Sequence, residues 1–388
     1  MSTFADFALE VYLAGTTDSA AAGDHALPFT VDDLRVAAAR AMTPAAFAYV
    51  DGSAGGGATA RANRSAFGRY ALNPRVLRSP GAGCDLGITL WGKDYPSPVL
   101  TAPVGVLEQV HEDAELALAR GANASGVPVV LSSVSSTPME EVAAVVDRWW
   151  FQLYLPADDA VAESFVRRAT AAGAEAIVIT ADAPRLGWRP RDLEFANLPF
   201  LHARGMANYL SDPGFAGSRS ADTLTDPVRR FLDVYGHPGL DVGTVARVRA
   251  WTDLPVLVKG VTRVEEAEQL VALGVDGLVV SNHGGRQLDN TVAALEMLPR
   301  IVTAVGDSTT VLFDSGIRSG ADVAVALALG ARAVLVGRPW VYGLGVAGQG
   351  GVAHVLRCLL AELQISCELL GADARDLSLD DVVGGACS

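Results

Sequence analysis

The chain has 388 residues, half of them apolar, and a formal net charge of −14. A charge this negative argues against nucleic acid and anionic membrane surfaces as partners, and no run of about 18 apolar residues free of charge predicts a membrane span. Because no basic and apolar leader opens the sequence and the cysteines lack metal-ligand spacing, we expect a cytoplasmic protein with no metal site and with reduced thiols at Cys84, Cys358, Cys367 and Cys387.

Residues 1–95 are predicted to form a helical extension that leads into the main fold. Thr30 and Thr43 are candidate N-caps of two helices, and Pro44 suits the first turn of the second one. The glycine-rich stretch at 51–57 follows. It is weak evidence for a phosphate-binding loop, because no strand precedes it.

From residue 96 to 350, short apolar runs alternate with alanine-rich helical patterns. Eight strands are predicted, at 99–102, 127–131, 149–155, 176–180, 256–259, 277–281, 310–313 and 333–336. An open doubly wound sheet fits this alternation too, but eight units in series favour a TIM (β/α)8 barrel. We therefore treat 1–388 as a single domain of class α/β.

Two further segments depart from this regular alternation. The interval 183–239, after the fourth strand, is too long for an ordinary loop and carries several prolines. A long excursion at the carboxyl end of a barrel strand is most simply an active-site lid. After the last strand, residues 351–388 are predicted to form a C-terminal helix and a short acidic tail.

Polar residues stand where the apolar runs stop, at the end of the strands where a TIM barrel holds its active site. Seven of the eight predicted strands end in this way, at Ser132, Gln152 with Tyr154, Thr180 to Asp182, Lys259, Ser281 to His283, Asp314, and Gly337 with Arg338. The loops after the last two strands lie where this fold commonly binds phosphate with backbone N–H groups and a helix N-terminus. Arginine can add a charge-assisted contact there.

The sixth strand is followed by the string Ser-Asn-His-Gly-Gly-Arg-Gln at 281–287. Taken singly, His283 could be a satisfied core histidine and Arg286 a surface cation. A titratable imidazole and a fixed cation in a glycine-containing loop after a buried strand favour a catalytic site instead.

This string resembles the active-site signature of the FMN-dependent α-hydroxy-acid oxidase and dehydrogenase family, and the resemblance covers nearly the whole chain. Segments 90–93, 187–193 and 208–213 are most similar to the lactate 2-monooxygenase branch. The resemblance implies a flavoprotein that contains FMN and oxidises an L-α-hydroxy acid with O2, with decarboxylation of the keto acid in that branch. A plain oxidase or dehydrogenase for a bulkier acid is the alternative. A homo-oligomer, a tetramer or octamer, is also implied.

The resemblance assigns thirteen residues to the flavin. It places Lys259 near N1 and the C2 carbonyl, where a cation stabilises the reduced ring. Asp314 is assigned to the ribityl hydroxyls. The remaining residues of this flavin set are Ala102, Pro103, Val104, Ser132, Gln152, Thr180, Ser281, Gly316, Arg318, Gly337 and Arg338.

Six side chains make up the catalytic set that the resemblance implies: His283, Asp182, Tyr154, Arg286, Arg189 and Tyr49. Its two arginines would neutralise and orient the substrate carboxylate. His283 would take a proton from the substrate, and Asp182 would stabilise the protonated imidazole. Whether the α-hydrogen leaves as a proton or as a hydride stays open.

Three positions depart from the family pattern. Gly57 stands in place of a glutamate, Val134 in place of a tryptophan, and Leu186 in place of a phenylalanine. The last two changes predict a substrate bulkier than lactate, because the freed volume favours an additional apolar group by about 1–3 kcal/mol. Lid residues such as Tyr209 or Phe200 could refill that space.

The sequence is also compatible with two functions of other classes. A barrel aldolase or isomerase would use Lys259 for a Schiff base and bind phosphate after the seventh and eighth strands. A catalytically silent barrel would serve as a binding subunit.

Overall fold

The structure, a computed structural model, describes residues 3–17, 27–78, 83–217, 227–237 and 239–384. The segment before the barrel contains the helices α1 Asp6–Thr17, α2 Val31–Ala41, α3 Pro44–Asp51 and α4 Ala58–Phe67, and the strands β1 Tyr70–Leu72, β2 Ile88–Leu90 and β3 Lys93–Tyr95. Thr30 and Thr43 cap α2 and α3 as predicted, each accepting a backbone N–H at 3.2 Å. Beside the predicted helices, this segment also contains three strands that the sequence did not reveal, because strands of three residues are too short to show alternation.

Eight parallel strands form the central barrel, which confirms the predicted fold class. They are β4 Val99–Thr101, β5 Val129–Ser132, β6 Trp149–Leu153, β7 Ile177–Thr180, β8 Val256–Val261, β9 Gly277–Val280, β10 Thr310–Phe313 and β11 Ala333–Val336. The order around the sheet is β4-β11-β10-β9-β8-β7-β6-β5. Thr101 of β4 closes the circuit, because its N–H donates to Pro128 O at 3.1 Å, just before β5.

The helices outside the barrel follow the strands in turn. They are α5 Ala114–Asn123, α6 Met139–Ala143, α7 Asp159–Ala171, α8 Pro190–Glu194, α9 Ala207–Leu210, α10 Pro213–Gly217, α11 Pro227–Val234, α12 Val242–Ala250, α13 Val264–Ala272, α14 Ala294–Val305, α15 Gly320–Ala328 and α16 Arg338–Leu370. The described part of the predicted lid, 183–239, therefore holds four short helices, α8 to α11. Helices of four to eight residues give little periodic signal in a sequence.

The barrel strands are buried on both faces, as expected for a parallel sheet covered by helices. Inward side chains fill the barrel and form one apolar cluster with Ile88, Leu90 and Tyr95 of the β2–β3 hairpin. The hairpin is held there by hydrogen bonds, since Trp150 Nε1 donates to Tyr95 OH at 3.1 Å and Trp91 Nε1 donates to Asp276 O at 3.0 Å. The hairpin closes the amino end of the barrel, which leaves the carboxyl end for the site.

The C-terminal part returns to the lead-in segment. Helix α16 is long and apolar enough to cross a membrane by length and composition alone. It is kinked at Ala347–Gly348, and side chains such as Leu356 and Leu360 are fully buried in the core. The final strand β12, Val382–Gly384, pairs antiparallel with β1.

Among the described residues, three cysteines, Cys84, Cys358 and Cys367, carry free thiols. Cys387 lies outside the described residues. Within the part of the chain that the structure describes, no group of three or more His, Cys, Asp and Glu side chains is arranged to hold a metal ion.

We expect Leu90→Ala to lower the free energy of unfolding by about 2–5 kcal/mol, because it leaves a cavity where the hairpin plugs the barrel. Leu90 is only 2% exposed. The neighbouring exposed residue offers a matched control, and Thr89→Ala should change stability far less. Urea unfolding of both variants measures the difference, and equal losses would show that the hairpin does not close the barrel.

Candidate active site

The loops at the carboxyl ends of the strands enclose a cavity of about 630 Å³. Five of the six side chains in the catalytic set line it: Tyr49, Tyr154, Arg189, His283 and Arg286. Nine of the thirteen residues in the flavin set line it as well: Ala102, Pro103, Val104, Lys259, Asp314, Gly316, Arg318, Gly337 and Arg338. The structure thus brings most of both sets together around one space.

The loop that carries His283 turns sharply after β9. His283, Gly284 and Gly285 have φ angles of +58°, +62° and +73°, a left-handed run that is unusual for a histidine. At Gly285 a side chain has no room, because an added Cβ would lie 2.6 Å from the backbone N of Ala60 in α4. The His283 N–H donates to Ser281 Oγ at 3.0 Å. Tight packing on α4 therefore holds the imidazole in this strained backbone conformation.

The imidazole of His283 lies between a carboxylate and a phenol. Its Nδ1 is 2.9 Å from Asp182 Oδ1, and its Nε2 is 3.3 Å from the hydroxyl of Tyr154. A carboxylate beside Nδ1 keeps the proton on that nitrogen, so the lone pair is on Nε2, which faces the cavity side. Burial raises the pKa of Tyr154 to about 12, so its hydroxyl stays protonated and can donate to Nε2.

The charge state of this pair suits a general base. Burial and the Lys259 ammonium lower the pKa of His283 below its ordinary value, although Asp182 acts in the opposite direction. Burial by itself would raise the pKa of Asp182, but its interactions with His283, including their hydrogen bond, and with the Lys259 ammonium outweigh burial and lower the pKa. At neutral pH the site therefore holds a neutral imidazole beside an ionised carboxylate. Asp182 does not line the cavity but stands behind the ring.

Two arginines of the catalytic set are anchored by carbonyl oxygens. Arg286 Nη1 donates to Gly52 O at 2.8 Å, at the carboxyl end of α3, and its guanidinium lies 5.2 Å from the ring centre of Tyr49. Arg189 donates from Nε to Arg286 O at 3.0 Å and from Nη2 to Gln287 Oε1 at 2.9 Å. Burial and the neighbouring guanidinium groups lower the pKa of Arg286 to about 9, which shows how strongly this corner lacks negative charge.

Lys259 is buried at the end of β8. Its ammonium donates to Ser281 Oγ at 2.9 Å and lies 3.1 Å from Asp314 Oδ2. Burial alone would lower the pKa of this lysine, but Asp314 and Asp182 outweigh burial and raise it. A Schiff base requires a neutral amine, so these contacts disfavour the aldolase reading.

The loops after β10 and β11 form the cationic end of the cavity. Burial and the charge of Arg338 lower the pKa of Arg318 to about 10. Arg338 stands at the first position of α16, whose amino end therefore lies at the cavity, and such ends favour anions. Of the charged side chains lining the cavity, six are basic and two acidic, so the site has an excess of positive charge.

Four residues of the flavin set do not line the cavity: Ser132, Gln152, Thr180 and Ser281. The first three form a buried chain of hydrogen bonds across the ends of β5, β6 and β7, in which Ser132 Oγ donates to Gln152 Oε1 at 2.9 Å and Gln152 Nε2 donates to Thr180 Oγ1 at 2.8 Å. Ser281 Oγ contacts Lys259 and the His283 N–H. In this structure these four residues orient their neighbours, and their direct contact with flavin stays a prediction.

The sequence predicted four residues near the side chain of the substrate, and the structure places three of them in the cavity wall. Val134, Leu186 and Phe200 line the cavity. Tyr209 does not, because it is fully buried against Phe165, Phe215 and Phe231. The suggestion that Tyr209 refills the space was therefore wrong, because its ring is packed in the core outside the cavity lining.

Several residues that help to form the site were not predicted from the sequence. Asp192 and Tyr235 line the cavity, and Asp192 lies 3.8 Å from the guanidinium of Arg189. Asn282 forms a reciprocal amide pair with Asn63 of α4, at 2.7 and 2.8 Å, which ties the histidine loop to the lead-in segment. Asp192 could have been predicted, because it stands three residues after Arg189, a spacing that suits an ion pair on a helix. Asn63 could not, because its partner Asn282 lies 219 residues away in the sequence.

The chain is similar to known proteins over most of its length. A family model described as FMN-dependent dehydrogenase matches residues 38–382. The chain is 42% identical over 348 residues to an L-lactate oxidase of Lysinibacillus sphaericus (strain C3-41), with 89% of each chain covered. It is 40% identical over 353 residues to a 4-hydroxymandelate oxidase of Amycolatopsis orientalis, covering 88% of this chain and 96% of the relative. A crystal structure of mandelate oxidase with (S)-4-hydroxymandelic acid is 40% identical and superposes with a TM-score of 0.82, covering 92% of this chain and 99% of the other.

We expect Asp182→Asn to shift the acidic limb of the pH profile of kcat/KM to lower pH. The limb reports the protonation of His283 in the free enzyme, and loss of a carboxylate that raises its pKa must lower that pKa further. The rate on the plateau should fall by about 10²-fold or more, because the imidazolium formed in the reaction loses its counter-ion. Steady-state rates from pH 4.5 to about 9 measure both effects.

Asp192→Asn is the control, since it removes another carboxylate from the same site without touching the imidazole. Its acidic limb should stay near that of the wild type. A limb that stays in place in Asp182→Asn, or moves to higher pH, would contradict the role given to Asp182.

Proposed function

The chain belongs to the FMN-dependent dehydrogenase family, and from this premise we propose that it is an oxidase for an L-α-hydroxy acid bulkier than lactate, with O2 as the electron acceptor. The coarser activity is that of the family: the protein is an oxidoreductase that contains FMN and oxidises α-hydroxy acids. The observation that carries the proposal is one cavity in which a neutral His283, paired with Asp182, lies beside the guanidinium groups of Arg189 and Arg286.

The donor set of the cavity fits FMN. A phosphate would find Arg318, Arg338 and the amino end of α16 at one end, where positive charge is in excess. The ammonium of Lys259, which contacts Ser281 and Asp314, lines the same cavity and stays protonated. When bound, FMN supplies the acceptor for the two electrons removed from the substrate.

The residues of the chain account for the remaining steps. Arg189 and Arg286 bind the substrate carboxylate and hold the α-carbon beside Nε2 of His283. His283 takes one proton at Nε2, and Asp182 stabilises the resulting imidazolium through Nδ1. The hydroxyl group of Tyr154 donates a hydrogen bond to Nε2 before His283 takes the proton, and to the substrate oxygen afterwards. In sum, hydroxy acid and O2 give keto acid and hydrogen peroxide.

The preference for a bulky acid rests on the shape of the pocket. Val134 is buried in the wall, and a valine leaves more room there than a tryptophan would. Phe200 is held in an aromatic stack, with ring centroids 4.8 Å from Phe231 and 5.1 Å from Tyr235, which opposes its turning inward. The mandelate and hydroxymandelate oxidases among the similar proteins support an aryl side chain on the substrate.

A second candidate outcome is decarboxylation of the keto acid inside the closed site. The start of the predicted lid is docked, since Gly55 N–H donates to Trp188 O at 2.9 Å. At Gly187 an added Cβ would lie 2.4 Å from Arg286 O, so the lid backbone passes directly against the histidine loop. A cover this close favours reaction of the keto acid with hydrogen peroxide, which gives the shorter acid, carbon dioxide and water.

The substrate preference is tested with glycolate, L-lactate, (S)-2-hydroxyisovalerate and (S)-mandelate. We expect the two bulkier acids to give higher kcat/KM than lactate and to bleach the flavin faster under anaerobic conditions. Val134→Trp is the matched variant, and it should lower kcat/KM for mandelate while sparing lactate. If lactate is preferred by tenfold or more in the wild type, a difference of about 1.4 kcal/mol, the pocket argument fails.

The fate of the keto acid is tested in an oxygen electrode with and without catalase. A plain oxidase should return half of the consumed oxygen when catalase is added, because all hydrogen peroxide escapes. Retention in the site should abolish this return and release labelled carbon dioxide from the carboxyl-labelled acid. Return of half of the consumed oxygen would exclude the second candidate.

A further inference from the structure

Asp51, the last residue of α3, is a buried acceptor shared by three other elements. Its carboxylate receives two hydrogen bonds from Arg35 of α2 at 2.5 and 2.7 Å, one from the hydroxyl of Tyr342 of α16 at 2.8 Å, and one from Arg191 of α8 at 3.1 Å. The Asp51 side chain is only 10% exposed. One carboxylate thus joins two lead-in helices, the C-terminal helix and the first helix of the predicted lid.

The contact with α8 bears directly on substrate binding. Arg191 stands two residues after Arg189, which is the N-cap residue of this five-residue helix. A helix this short has little stability of its own, so its position depends on the surface that it contacts. Asn197, just beyond α8, also donates to Ala45 O of α3 at 3.3 Å. Helix α3 is therefore the platform on which the segment that carries Arg189 rests.

The same end of α3 also holds two other arginines of the site. Arg286 and Arg338 both donate to Gly52 O, at 2.8 and 2.7 Å, directly after Asp51. Arg338 Nε also donates to Val50 O at 3.2 Å. Arg286 is thus fixed to the carboxyl end of α3, while Arg189 is held by Arg286 O through its Nε and by the attachment of α8 to Asp51 through Arg191. The geometry of the carboxylate clamp therefore depends in part on Asp51.

We propose that Asp51 is a positioning residue for substrate binding: through its ion pair with Arg191 it holds α8 in place and so sets the reach of Arg189 toward the substrate carboxylate. The proposal rests on the proposed binding of the acid by Arg189 and Arg286, and it holds for whichever hydroxy acid is preferred. Asp51 contacts no reacting atom, and it acts through Arg191.

A matched control separates this role from a merely structural one. Arg35 and Arg191 donate to the same carboxylate, lie 5.7 and 5.6 Å from the ring centre of Phe47, and have side chains 49% and 42% exposed. Only Arg191 belongs to α8. Loss of Arg35 therefore weakens the packing of α2, whereas loss of Arg191 frees α8.

The test uses the FMN-containing holoenzyme with Arg191→Gln, Arg35→Gln and Asp51→Asn. We expect Arg191→Gln to raise KM about two- to fivefold, the range of an exposed ion pair, with kcat nearly unchanged. Arg35→Gln should lower Tm and leave KM unchanged. Asp51→Asn should raise KM as Arg191→Gln does, and the double variant Asp51→Asn/Arg191→Gln should add nothing further. Arg191→Lys should have a KM close to that of the wild type.

Two readouts do not depend on turnover. Binding of acetate or oxalate, followed by the flavin absorbance, should weaken in Arg191→Gln by the same factor as KM rises. Chymotrypsin should cleave within 183–239 faster in Arg191→Gln than in Arg35→Gln. Equal KM shifts in the two arginine variants, or none in either, would overturn the role of Asp51. A wild-type flavin that no hydroxy acid reduces would instead refute the proposed function, while anion binding and proteolysis still test Asp51.

Discussion

The carboxyl end of helix α3 solves the main electrostatic problem of this structure, which is how to bury several guanidinium groups at one end of a barrel. A buried cation is costly unless it is paired or hydrogen-bonded. Here the carbonyl oxygens of Val50 and Gly52, at the negative end of a helix dipole, accept from Arg286 and Arg338. The neighbouring carboxylate of Asp51 accepts from further arginines. The barrel loops add Gly284 O as an acceptor for Arg338, but Arg286 donates to carbonyl oxygens of the docked lead-in segment, so the site depends on that segment.

These acceptors offset the charge of the buried guanidinium groups only in part, and the remaining positive charge favours the binding of an anion. The pKa values of Arg286 and Arg318 remain lowered, to about 9 and about 10, because burial and neighbouring cations are not fully offset. An anion that enters the cavity relieves this repulsion, and a flavin phosphate and a substrate carboxylate are such anions. Around Lys259 the balance is different, since Asp314 and Asp182 offset its burial. The cavity thus contains one ammonium whose charge is already offset by carboxylates, and guanidinium groups whose charge is not fully offset.

The histidine loop shows how packing maintains a strained conformation. His283 keeps a positive φ because the residues on either side are fastened: Ser281 accepts its N–H, and Gly285 lies against α4 with no room for a side chain. The amide pair of Asn63 and Asn282 adds a second attachment to the same helix. Such strain is stable only when the surroundings determine it, and it fixes Nε2 before any substrate arrives.

The sequence by itself determined the repeating parts of this protein. The eight apolar runs of the sequence correspond to the eight barrel strands, with ends that differ by two residues at most. A strand that is buried on both faces requires a continuous apolar run, which is visible in the sequence. Local rules also placed the caps Thr30 and Thr43 and the polar residues after the strands. Only the tertiary structure decided which of those residues face the cavity. It turned Ser132, Gln152 and Thr180 toward one another and buried Tyr209 outside the cavity lining. It also decided the role of Asp51, whose partners Arg191 and Tyr342 lie 140 and 291 residues away. Periodicity and capping act within a few residues, whereas the pairing of a buried cation with its acceptor is settled when distant elements pack.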